Sequence, residues 1–101
     1  MTVIRCSIGD GEYSLEADGH AVGSPEACAG VSALIEALDG YLENAGDDHV
    51  WSIHERWAED GSACFRASGG EDLGEVWRAV CIGLTRIALA YPQAVGVEWG
   101  K

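Results

Sequence analysis

Residues 71–92 read Glu-Asp-Leu-Gly-Glu-Val-Trp-Arg-Ala-Val-Cys-Ile-Gly-Leu-Thr-Arg-Ile-Ala-Leu-Ala-Tyr-Pro. Leu73, Val76, Trp77, Val80, Cys81, Leu84, Ile87, Ala88 and Tyr91 recur at helical spacing and make one apolar stripe. Glu71 and Asp72 put negative charge where the helix dipole favours it, and Pro92 stops the helix. Period-2 patterns flank this helix: Ala63, Phe65 and Ala67 before it, Val95, Val97 and Trp99 after it. A helix bracketed by strands is the unit from which the rest of the chain is read.

Further from that unit the same alternation of periods repeats. Residues 2–8 place Ile4, Cys6 and Ile8 on one side of a strand and Val3, Arg5 and Ser7 on the other. Gly9-Asp10-Gly11 makes a tight turn, and Tyr13, Leu15 and Ala17 alternate with Ser14, Glu16 and Asp18 in a second strand. After a break over Gly19–Gly23, Ser24-Pro25 starts a helix that carries Val31, Leu34, Ile35, Leu38, Tyr41 and Leu42 and ends near residues 44–46. Asp47-Asp48 belongs to the next turn, Val50–Ala58 to a third strand, and Glu59-Asp60-Gly61 to a second tight turn before a short fourth strand. The expected architecture is α+β, a single two-layer domain over residues 1–101 in the order β-β-α-β-β-α-β, with two helices packed on a mixed sheet.

Six Lys and Arg stand against 17 Asp and Glu, a formal net charge of −11. Between Asp10 and Asp60, Arg56 is the only Lys or Arg. Phosphate backbones and anionic lipid are bound by cationic side chains, so the reading is no nucleic acid and no membrane partner. The acidic surface is either a solvated face or a field that attracts a basic protein. Residues 1–6 carry neither a long apolar run nor a cleavage site, so the expectation is a cytoplasmic protein. Cys6, Cys28, Cys64 and Cys81 are then reduced thiols, and no CxxC or HxxxH pair occurs; neither a metal nor a cofactor is expected. Cys6 and Cys81 fall on apolar faces, Cys64 opposite Phe65, and His49 and His54 read as surface residues. Trp51, Trp57, Trp77 and Trp99 read as builders of the core or of a dimer face.

Cys28 ends the first turn of the first helix, where the dipole lowers a thiol's pKa and makes it a nucleophile, although Glu26 opposes this. Position alone also fits a small buried hydrophobe. His20 stands just before that helix, close enough across a short loop to take the thiol proton, and fits an exposed loop residue equally. Asp18, two residues earlier, either orients the imidazole or is a solvated acid. Ser32 lies one turn beyond Cys28 and either bonds the substrate or packs as a small residue. Ala21 and Gly23 keep the loop small, Gly23 as a hinge, and amides at the helix start are candidates to stabilise an oxyanion.

Gly19-His20-Ala21, followed after a short loop by Cys28-Ala29-Gly30-Val31-Ser32-Ala33-Leu34, resembles the ribosomal-processing cysteine protease family, Prp. That family's pattern is G-H-A, a variable loop, then C-A-x-V-S at the start of a long helix. Trp77-Arg78-Ala79-Val80 and Tyr91-Pro92 follow its element order as well. The loop from His20 to Cys28 is shorter than in the best-known members, and Ser24-Pro25-Glu26-Ala27 replaces their lead-in to the Cys. The resemblance implies a Cys28–His20 dyad, with Gly19, Ala21, Gly23 and Ser32 as support. It further implies a mobile loop over the site and a homodimer that acts on a basic ribosomal or phage structural protein. The competing reading is a non-catalytic acidic module that binds a basic protein on the same fold.

Overall fold

The computed structural model describes residues 1–21, 23–44 and 51–100. Its elements are β1 (Thr2–Gly9), β2 (Glu12–Asp18), α1 (Pro25–Asn44), β3 (Ser52–Glu59), β4 (Ser62–Ser68), α2 (Glu71–Ala90) and β5 (Val95–Gly100). They form an α+β domain with one five-stranded mixed sheet, ordered β3-β4-β2-β1-β5. β1 pairs antiparallel with β2, β2 with β4 and β4 with β3, while β5 runs parallel to β1 at the edge.

The period-2 pattern decides which side of the sheet is covered. Ile4, Cys6, Tyr13, Leu15, Ala17, Phe65 and Ala67 are buried on one face, in one core with Val31, Ile35 and Leu38 of α1 and Leu73, Trp77, Val80, Cys81 and Leu84 of α2. Trp77 is the deepest anchor: fully buried, tilted on Tyr13 at 5.8 Å between ring centroids, its Nε1–H donating to the Ser14 carbonyl at 3.1 Å. The helices approach closely because each has a glycine where the other presents an aliphatic side chain. A Cβ on Gly30 would stand 3.0 Å from Ile87 Cδ1, and one on Gly83 2.9 Å from Leu34 Cδ1.

β3 is where the sequence reading needs correction. It spans Ser52–Glu59, ending one residue later than expected; Val50, Asp47 and Asp48 lie outside the described residues, as does His49. An irregularity between Ile53 and Glu55 shifts the register by one. Ile53 therefore pairs with inward Ala67, whereas Trp57 pairs with Cys64 on the other face. The shift turns Trp57, 39% exposed, off the core face; of the four tryptophans Trp77 is the fully buried one, with Trp99 48% exposed and Trp51 half-buried against Tyr41. β4 runs seven residues, longer than its short apolar pattern suggested. Arg56, on β3, reaches across to α1 and bonds Asp39 at 2.8 Å, with Glu43 at 3.8 Å. Its charge is thus spent on helix acids.

Trp77→Ala is expected to cost about 3–5 kcal/mol, the range for removing a buried aromatic. Trp57→Ala should cost about 1 kcal/mol or less, as a surface change does. Urea unfolding of the two variants beside wild type checks the difference.

Candidate active site

β2 ends at Asp18, and Gly19 turns the chain with φ +94°. Its N–H donates to the Gly61 carbonyl at 2.8 Å, and Thr2 Oγ1–H donates to its carbonyl at 3.3 Å. A Cβ here would strike the Met1 carbonyl, so the position demands glycine twice over. The turn breaks the strand alternation. Asp18 therefore stays with Ser14 and Glu16 on the face away from the helices, and His20 is exposed on the helix side. Asp18 does not orient the imidazole, which has no side-chain hydrogen-bond partner among the described residues.

Ala21 is buried and accepts a bond from Ser24 N–H at 3.2 Å, which fixes the entry to α1. The Ser24 carbonyl accepts the first helical bond, from Cys28 N–H, at 3.0 Å. Ala27 and Val31 face the core, so Cys28, a further 100° round the helix from Ala27, is turned to solvent. Because the Cys28 amide is engaged, the helix-start amides without an intrahelical acceptor are those of Glu26 and Ala27.

Cys28, Ser32 and Glu36 form one stripe at four-residue spacing, and it walls a cleft of about 380 Å³. Gly19 and His20 line the opposite side, and Glu59, Asp60 and Gly61 of the β3–β4 turn close one end. The cleft exists because of what its floor lacks. Ala17, Ala63 and Ala58 are cross-strand partners, a row of three methyl groups under the first half of α1. The next inward row, Leu15, Phe65 and Arg56, is full-sized. Cys28, His20, Ser32 and Gly19 thus meet in one cleft, whereas Ala21 and Gly23 do not line it. The sequence reading passed over Ala17, Ala58, Ala63 and Gly61. The alanines share the inward phase of their strands, but strand pairing alone puts them in line.

The cleft is acidic. Glu36, Glu59 and Asp60 line it, and no Lys or Arg does among the described residues. Among the described residues no three His, Cys, Asp or Glu side chains converge to hold a metal ion. Cys28 is the exposed thiol; Cys6, Cys64 and Cys81 are buried. Burial, and then the Glu55 and Glu16 carboxylates, push the Cys64 thiol up. A hydrogen bond to Cys6, and then burial, push the Cys81 thiol up.

No family model and no curated protein matches the chain. Solved structures do. The essential ribosomal processing protease Prp from S. aureus, with a covalently linked product peptide, superposes with a TM-score of 0.78 at 17% identity, over 99% of this chain and 100% of that one. The same protease with a substrate peptide gives 0.72 at 16% identity over 99% and 100%. A Streptococcus mutans protein gives 0.70 at 24% identity over 98% and 93%. The fold is the Prp fold. At these identities the likeness is one of backbone, and in this chain the Prp fold presents an open cleft with a thiol on one wall and an imidazole on the other. No helix among the described residues is long and apolar enough to cross a membrane.

An aromatic disulfide reagent should therefore titrate one thiol in the native protein and four in urea. Cys28→Ser should remove the native signal; a second fast thiol would contradict the burial pattern.

Proposed function

We propose that the protein is a cysteine endopeptidase in which Cys28 is the nucleophile and His20 the general base and acid. What carries this reading is that both side chains line one cleft in a fold shared with a peptide-bound protease. His20 takes the thiol proton as Cys28 Sγ attacks the scissile carbonyl carbon. The oxyanion forms in front of the helix start, where the Glu26 and Ala27 amides and the dipole favour negative charge. The imidazolium then protonates the departing amine, leaving a thioester on Cys28. His20 next deprotonates a water that attacks the thioester; the peptide carboxylate leaves, and the proton returns to the thiolate. Ser32, one turn above Cys28, offers a hydroxyl to the bound peptide, and Gly19 holds the backbone from which His20 projects.

The substrate we propose is a basic ribosomal or phage structural protein. Glu36, Glu59 and Asp60 on the cleft walls, with Arg56 already bound to Asp39 and Glu43, favour a cationic peptide. A homodimeric, cytoplasmic enzyme is part of the same proposal.

Incubation with basic precursor proteins, followed by mass spectrometry, tests it. Cys28→Ala should abolish cleavage, and His20→Ala should slow it about 10²–10⁴-fold, the usual range for losing a general acid-base. For a cationic peptide kcat/KM should fall as ionic strength rises, because screening weakens attraction to the carboxylates. Tight, salt-sensitive binding of a basic protein that survives Cys28→Ser, with no cleavage by wild type, would instead establish an acidic binding module.

A further inference from the structure

The chain has two hairpins with two-residue Asp-Gly loops, Asp10-Gly11 between β1 and β2 and Asp60-Gly61 between β3 and β4. Both glycines have nearly the same left-handed φ, +77° and +81°. As turn residues they are equivalent, and each needs glycine for the same backbone reason. Their surroundings differ. A Cβ on Gly11 would meet only the Gly69 carbonyl, at an ordinary 3.4 Å. A Cβ on Gly61 would stand 2.6 Å from His20 Nε2, 3.2 Å from Cε1 and 3.3 Å from Cδ2. The imidazole thus lies flush on the bare Cα of the β3–β4 turn.

A second contact fixes the same turn to the same segment. The Gly61 carbonyl accepts the 2.8 Å bond from Gly19 N–H, one residue before His20. Backbone and ring of the His20 segment are therefore both referenced to one residue on a different hairpin. From these two contacts we infer that Gly61 is a positioning residue for His20, its missing side chain being the seat that lets the imidazole face the Cys28 cleft.

The inference rests on the dyad reading for its catalytic consequence but not for its geometry. Any Cβ at 61 requires the ring to retreat by about 1 Å to reach ordinary carbon contact distance. His20 is exposed, so it can swing away without unfolding the protein. A displacement of that size at a reacting group can cost about 10²-fold in rate.

The test compares Gly61→Asn with Gly11→Asn. Asparagine tolerates left-handed backbone, so both variants fold with little strain while each gains a Cβ. Gly61→Ala and Gly11→Ala form a second, more strained pair. Three quantities are read: the His20 ring resonances and their titration, the pH profile of Cys28 alkylation, and kcat and KM for a cleaved peptide. Both Gly61 variants should move the His20 resonances and the alkylation profile and lower kcat about 10–100-fold, with KM little changed. The Gly11 variants should lose comparable thermal stability and leave all three at wild-type values. If the Gly61 variants leave the His20 resonances unmoved, or the Gly11 variants move them as much, the positioning role is wrong. If wild type cleaves nothing yet only the Gly61 variants move the His20 ring, the positioning contact stands and the protease reading falls.

Discussion

The 2.8 Å bond from Gly19 N–H to the Gly61 carbonyl fixes the cleft end of this molecule. It extends the β2–β4 ladder by one residue beyond the last paired strand positions, Asp18 and Ser62. The chain must then turn at φ +94°, a conformation that only glycine adopts freely, and with the Met1 carbonyl where a side chain would go. Everything downstream takes its place from that turn. His20 emerges toward the helix side, Ala21 drops into the core, and α1 starts at Pro25 with Cys28 at the end of its first turn.

The core imposes the second constraint. A sheet covered by helices on one face only must fill that face with apolar side chains in register. Here the filling is uneven. Leu73, Trp77 and Leu84 of α2 fill the space down to the sheet, Trp77 against Tyr13, whereas three alanines in line leave space beneath the start of α1. Burial that stabilises the fold and emptiness that makes a site are thus separated along the sheet. The charge is also separated. The one cation of the long acidic stretch is drawn to Asp39 and Glu43, so Glu36, Glu59 and Asp60 face the cleft without a Lys or Arg beside them among its described lining residues. A net charge of −11 that first spoke only against phosphate and membrane partners becomes, at this cleft, a local field.

Much of this was legible in the residues. Both helices follow from their stripes and stops, and the strand order along the chain follows from alternation interrupted by Asp-Gly turns. Cys28, His20, Ser32 and Gly19 were singled out by a local pattern, because a helix start and the loop before it are close in sequence. That Trp57 leaves the face of Ile53 is not legible in the sequence, because one extra residue in β3 inverts the facing of everything after it, and a period-2 pattern cannot register a bulge. Asp18 is the solvated acid of its two readings, because a face shared with His20 holds only while the strand continues.

The sequence by itself determined the elements, their order and the placing of Cys28 and His20 at the entry to α1, since each depends on neighbours within a turn or a hairpin. Only the tertiary structure decided the cleft around them. Its floor joins Ala17, Ala58 and Ala63 from three strands, its end is a turn some forty residues from His20, and the seat of the imidazole is the absent side chain of Gly61. Strand pairing brings those residues together, and pairing partners leave no periodic trace in a single chain.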